Sequence, residues 1–150
     1  MEIWRLHKAR FPVSSFYGAN RDGGRYNSPG VPALYASCSA SATILELRVH
    51  LDTPPGPGML HKISRTEVDQ TKLMTFSQVD IPGWNDSDLS YRRPRAFGNK
   101  LLADLEILGF LAPSFTSYGF DQTVVLNPNH PEFASLVWTS YDFEFDNRLW

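Results

Sequence analysis

The chain has 150 residues, a net charge of −2 from 14 basic and 16 acidic side chains, and 42% hydrophobic residues. That composition fits one globular domain, large enough to bury roughly two-thirds of its unfolded surface without a disulfide. It excludes a uniformly basic nucleic-acid-binding surface, although a local basic patch could still hold a phosphorylated small molecule.

The single cysteine, Cys38, forms no internal disulfide and fits a reducing compartment. Its plain reading is a small buried hydrophobe. The opening MEIWRLHKARF has no apolar run of the signal-peptide kind. No stretch approaches the roughly 20 apolar residues of a membrane span. A soluble, cytoplasmic protein is expected, with no membrane association and no direct nucleic-acid binding.

In chain order, residues 2–7 read as a strand and residues 15–30 as a long, turn-rich loop. Val31 to Ala36 reads as a short buried strand. Residues 39–51 read as a helix with Ser39 or Ser41 as N-cap. Its apolar faces are Ala42, Leu45, Val49 and Ala42, Ile44, Leu51. The segment Asp52-Thr-Pro-Pro-Gly-Pro-Gly58 is a loop. It is not a domain boundary, because the front piece would be marginal alone. Residues 59–64 and 72–76 are strand candidates. A second helix starts at Pro94, carries Phe97, Leu101, Leu105 and Leu108 at helical spacing, and stops at Gly109. Residues 110–113 and 122–127 are strands, with a turn over 127–131. Residues 136–145 alternate, with Val137, Thr139, Tyr141, Phe143 and Phe145 on one side, and read as a strand. The sum is an α+β class: a single mixed domain with one or two twisted sheets and a few helices.

The most unusual stretch is Gly23-Gly-Arg-Tyr-Asn-Ser-Pro-Gly30. Glycines let a backbone approach a ligand closely. An Arg on such a loop presents a planar fork of donors suited to phosphate. The Lys and spacing of a Walker loop are absent. Taken alone, the segment reads as a surface loop with a solvated Arg25. Glu46 sits on a mostly apolar run; it either pairs with His50 in solvent or lines a cleft facing the Arg25 loop. Ser114, in Ala112-Pro-Ser-Phe115, reads alone as a turn hydroxyl. The four histidines, His7, His50, His61 and His130, do not form metal-ligand spacing, so no metal is expected.

Together these segments resemble the RES domain, a bacterial family named for its Arg, Glu and Ser. The resemblance runs through Trp4-Arg5-Leu6, GGRYNSPGVPALYAS (23–37), Leu45-Glu46 with His50, Ala112-Pro-Ser114, LNPNHPEF (126–133) and FDNRL (145–149). No single motif is decisive; their order and spacing are specific. Arg25, Glu46 and Ser114 fall on the family's arginine, glutamate and serine. Tyr35 falls on the family's active-site tyrosine. The chain departs at Tyr26, where Trp is common, and at Phe97-Gly98-Asn99-Lys100, where the family often has Gly-x-x-Trp.

The resemblance implies an ADP-ribosyltransferase-like fold and the toxin of a type II toxin–antitoxin pair that depletes NAD. The partner it implies is an antitoxin with a helix-turn-helix domain, whose C-terminal part covers the active site. No cofactor is implied: NAD is the substrate, and water, phosphate or a protein side chain is left open as acceptor. On this reading the catalytic residues are Arg25, Glu46 and Ser114. Glu46 stabilises the positive ribose, and Arg25 binds the pyrophosphate or an attacking phosphate. Tyr35 borders the nicotinamide with its hydroxyl as a donor, and Ser114 bonds the ribose or the carboxamide. Tyr26 and Asn27 are further NAD-binding candidates for positioning. Rival readings are a protein ADP-ribosyltransferase toxin and a non-catalytic binding module built on Trp138, Tyr141, Phe143, Phe145 and Trp150.

Overall fold

A computed structural model describes every residue from Met1 to Trp150. The strands are β1 (Glu2–Lys8), β2 (Leu34–Ser37), β3 (His61–Glu67), β4 (Leu73–Thr75), β5 (Gly109–Pro113), β6 (Gln122–Leu126) and β7 (Thr139–Phe143). The helices are α1 (Tyr17–Asp22), α2 (Ala40–Arg48) and α3 (Arg92–Leu102). All strands join one sheet in the order β4-β5-β6-β2-β1-β3-β7. Only β4 and β5 run parallel; every other pair is antiparallel.

The central strands are covered on both faces, which is why they read as continuous apolar runs. On β5, Phe110 and Ala112 point into one core and Leu111 into the other. On β6, Val125 faces the first side while Val124 and Leu126 face the second. One core holds Ile3, Leu34, Leu73, Leu108 and Phe133; the other holds Tyr26, Ile81, Trp84 and Leu102. The strand β7 lies at the sheet edge and is largely exposed, Val137 just before it included. The alternation of 136–145 therefore marks a solvated edge strand and its flanks. Phe143, Phe145 and Trp150 instead pack edge-to-face on one another, with Phe145 also against His61.

β1 and β2 pair only at Trp4 and Ser37. Beside that point Thr43 of α2 accepts a hydrogen bond from the Leu6 N–H at 3.2 Å, taking the place of a ladder bond. Ser39 caps α2 by accepting from the Ala42 N–H at 3.1 Å. The helix is shorter than its pattern suggests and buries only Ala42 and Thr43. Leu45 and Val49 are exposed, so the expected apolar face is not a core face.

Three further expectations are corrected. The loop over 15–30 contains the short helix α1. Helix α3 begins two residues before Pro94 and ends at Leu102, so Leu105 and Leu108 lie outside it. Its buried residues are Pro94, Gly98 and Leu102, an i, i+4, i+8 row, and not the Phe97–Leu101–Leu105 stripe. Gly109 is no helix stop: it opens β5, where a Cβ would sit 2.5 Å from the Val125 carbonyl oxygen. Local periodicity continued past the true end because Leu108 is buried for a different reason, in the opposite core.

Candidate functional site

The Gly23–Gly30 loop is held by its own buried side chains. Asn27 is fully buried. Its Nδ2 donates to the Ala19 and Val31 carbonyls at 2.8 Å each. Its Oδ1 accepts from the Tyr35 hydroxyl at 2.7 Å. That hydroxyl in turn accepts from the Tyr26 N–H at 3.0 Å. The Tyr26 ring is buried, and its hydroxyl donates to the Pro113 carbonyl at 3.1 Å. Burial pushes the Tyr26 phenol up to about 12, with the Glu46 charge raising it and the Arg25 charge lowering it. Burial also pushes the Tyr35 phenol up. The side-chain polar atoms of Asn27, Tyr26 and Tyr35 are therefore bonded within the chain and build the loop.

The two glycines before Arg25 also serve the chain itself. At Gly24 a Cβ would lie 2.6 Å from the Tyr35 hydroxyl. At Gly23, with φ +74°, it would lie 2.9 Å from Arg95 Nη2. Gly98 of α3 lets that helix pass the same loop: a Cβ there would meet the Tyr26 carbonyl oxygen at 1.9 Å. Asn99 then donates to Ser28 Oγ at 2.8 Å and accepts from the Ser28 N–H at 3.0 Å. The Phe97–Lys100 segment is thus the clasp that fixes the Arg25 loop on α3.

Arg25 projects from this frame, half-buried. Its Nη1 donates to the carbonyls of Trp84 and Asp86 at 3.2 and 3.1 Å. Its guanidinium lies 4.0 Å from the Phe115 ring centroid and 4.6 Å from that of Tyr91. Such stacking orders a cation while leaving its edge free. The remaining donors, Nε and Nη2, have no partner in the chain, and no carboxylate pairs with Arg25.

Glu46 lies half-buried on α2, and its partner is not His50. Its Oε1 accepts from Ser114 Oγ at 2.7 Å and from Thr116 Oγ1 at 2.8 Å. The two hydroxyls are themselves 2.9 Å apart. Ser114 is buried, and its backbone is pinned by the bond from its N–H to the Asp121 carbonyl at 2.9 Å. One short segment thus serves both charges: Ser114 and Thr116 hold Glu46, and Phe115 between them carries Arg25. The segment thus joins a carboxylate with one oxygen unengaged to a cation with open donors. Chemically it suits a substrate with a developing positive centre and an anionic group.

The geometry joins Ser114 directly to Glu46 and reaches Arg25 through Phe115, while Tyr35, Tyr26 and Asn27 bond one another within the Arg25 loop. Sequence reasoning missed Thr116, Phe115, Tyr91 and Arg95. The signals available were Gly98 inside a helix and the hydroxyl-aromatic-hydroxyl run Ser114-Phe-Thr116. Two surface hollows lie elsewhere, one of ≈ 390 Å³ between β3 and the β7 approach and one of ≈ 530 Å³ between α2 and the C-terminus. Neither includes a charged group of this site. No helix is long and apolar enough to cross a membrane.

A family model described as the RES domain matches residues 2–146. The chain is 30% identical over 156 residues to "Toxin Res" of Pseudomonas putida KT2440, covering 99% of each. It is 29% identical over 153 residues to "Toxin Res" of Yersinia enterocolitica, again covering 99% of each. Among solved structures, the toxin–antitoxin complex MbcT–MbcA of M. tuberculosis has a similar fold, with TM-score 0.75 and 20% identity. That match covers 95% of this chain and 84% of the other.

Proposed function

The chain belongs to the RES domain family, and on that premise we propose that it is the toxin of a toxin–antitoxin pair and acts by cleaving the nicotinamide–ribose bond of NAD. The observation that carries this reading is the segment Ser114-Phe115-Thr116, whose two hydroxyls hold Glu46 and whose ring stacks on Arg25. Full-length similarity to proteins named Toxin Res supports the biological role.

Breaking an N-glycosidic bond gives the ribose oxocarbenium character in the transition state. The nicotinamide ring nitrogen is already cationic, so its departure needs no general acid. What remains is to hold the ribose and stabilise its charge. Glu46 does this electrostatically through its unengaged oxygen, which also accepts from a ribose hydroxyl. Ser114 and Thr116 fix the carboxylate in place before substrate arrives, so little reorganisation is needed at reaction. In this reading Ser114 acts through Glu46. Arg25 offers Nε and Nη2 to a phosphate oxygen, either the pyrophosphate of NAD or an attacking phosphate. Tyr35, Tyr26 and Asn27 set the position of Arg25 from below.

The loop that holds Glu46 also carries Phe115, Tyr118 and Phe120, all exposed, with Phe120 at 92%. An apolar rim around a charged site suits a protein cover. An antitoxin lying over the site, with a helix-turn-helix domain elsewhere in its chain, is the partner we propose. The cytoplasm, where NAD is available, is the proposed place of action.

The test is incubation of the purified protein with NAD, with and without phosphate, followed by identification of the products. Free nicotinamide with ADP-ribose, or with its phosphate ester, supports the reading and names the acceptor. ADP-ribose attached to protein assigns the chain to protein modification instead. Intact NAD under all conditions, with no growth arrest on expression without antitoxin, overturns it in favour of a binding module.

A further inference from the structure

Arg95 lies on α3, one turn beyond Tyr91. Its Nε donates to the Gly24 carbonyl at 2.8 Å, which places its guanidinium along the backbone of the Arg25 loop. Its Nη2 rests where Gly23 lacks a side chain. Its Cζ is 5.4 Å from the Tyr91 ring centroid, and Arg25 Cζ is 4.6 Å from the same centroid. Two guanidiniums therefore share one aromatic ring. Two cations gathered at one ring raise the local positive potential, which an anion bound beside them would lower.

No anion of the chain fills that role. Neither Arg25 nor Arg95 belongs to any ion pair. Asp86 meets Arg25 only through its backbone carbonyl, and its carboxylate is engaged by Arg93 at 2.8 Å. Asp88 is turned onto Ser90. The first turn of α3 contains no acidic residue and no side-chain cap. Tyr91, the residue that both arginines touch, is held at φ 48°, a left-handed conformation unusual for a tyrosine. Strain of this kind persists where surrounding structure enforces it, and it collects at binding sites.

We infer that Arg25 and Arg95 form a two-arginine clamp, joined across Tyr91, for the diphosphate of the dinucleotide substrate. Arg25 contributes Nε and Nη2, and Arg95 contributes its two terminal nitrogens while Nε stays on Gly24. The naming of the dinucleotide rests on the NAD reading above; the anion site itself rests on the geometry alone. The clamp separates duties along the substrate: the arginines grip the diphosphate, and Glu46 faces the ribose where the bond breaks.

The experiment titrates inorganic pyrophosphate into the wild-type protein, R95Q and R95K by calorimetry. It also compares cleavage of NAD with cleavage of nicotinamide riboside, which has the same scissile bond and no phosphate. A charge-assisted contact of this type is worth about tenfold or more in affinity. R95Q is expected to weaken pyrophosphate binding by about tenfold or more, with R95K recovering part of it. On NAD it should raise KM more than it lowers kcat, and its loss on nicotinamide riboside should be several times smaller than on NAD. Equal losses on both substrates would reduce Arg95 to a support of the loop and overturn the clamp. So would a wild-type protein that does not bind pyrophosphate, or an R95Q variant that binds it as the wild type does. Pyrophosphate binding that depends on Arg95 in a protein that leaves NAD intact keeps the clamp and rejects the NAD reading.

Discussion

Ser114 donates its hydroxyl proton to Glu46 Oε1 at 2.7 Å, across 68 positions of the chain. Thr116 reaches the same oxygen at 2.8 Å, so the carboxylate has two supports. Ser114→Ala should therefore lower kcat only about tenfold, because one donor remains. The Ser114→Ala, Thr116→Val double variant should lose more than the product of the single effects, since the pair acts on one oxygen. Glu46→Ala should cost a hundredfold or more in rate with the fold intact. Steady-state kinetics beside far-ultraviolet circular dichroism checks all three; a folded Glu46→Ala protein that drains NAD normally would remove Glu46 from the chemistry.

Arg25 is defined by what it touches on several sides at once. Two backbone carbonyls take Nη1, and two rings flank its plane. A lysine cannot reproduce both the fork and the stacking. Arg25→Lys should thus be nearly as inactive as Arg25→Ala, with kcat/KM down about a hundredfold. Phe115→Ala should give an intermediate loss. Recovery of most activity in Arg25→Lys would mean that charge alone matters there.

The Tyr35 hydroxyl is used inside the protein, between Asn27 and the Tyr26 N–H. Tyr35→Phe should therefore destabilise the fold by about 1–3 kcal/mol, because it leaves buried polar groups unpaired. Urea denaturation measures this directly. A variant with unchanged stability and lost activity would return the hydroxyl to direct substrate contact.

Gly98→Ala places a methyl group against the Tyr26 carbonyl, 1.9 Å from its oxygen. Helix α3 and the Arg25 loop must then separate. The expected cost is about 1–3 kcal/mol, of the size seen for overpacked interiors. Activity should fall further than stability accounts for, since Arg25 and Arg95 move with the two elements. A melting temperature equal to that of wild type would contradict the close approach.

Stability should decline as pH falls below about 6.5, the ordinary histidine value. His7 is buried, with Nε2 2.9 Å from Ser64 Oγ and Nδ1 3.2 Å from the Lys8 carbonyl. Burial first, then the nearby Arg5 and Lys62 charges, push it down. His61 is also buried, has no partner on Nε2, and is pushed down by burial and by Lys8. Both stay neutral in the fold at pH values where the unfolded chain takes up protons. The unfolded state then binds more protons, so stability is complete above about pH 6.5 and is lost below it. Denaturation midpoints between pH 5 and 7.5 check the trend, and His61→Phe should flatten it. A midpoint that rises toward pH 5 would refute it.

By itself the sequence determined the elements whose cause is local. The buried central strands, a serine cap at Ser39 or Ser41 and the Gly-flanked Arg25 loop follow from side-chain period and backbone freedom over a few residues. The order of Arg25, Tyr35, Glu46 and Ser114 was also legible, and with it the family. Only the tertiary structure decided what each residue touches. Glu46 had His50 one helical turn away, yet it bonds hydroxyls from beyond β5 because α2 is docked by Thr43 on β1. The glycines at 23 and 24 marked a close approach, but what approaches is Arg95 and Tyr35. Tyr91, Phe115 and Arg95 left no periodic trace, because stacking around a guanidinium is set by three-dimensional neighbours. Spacing along a chain fixes local geometry; contact between distant segments is fixed by how the sheet and helices pack.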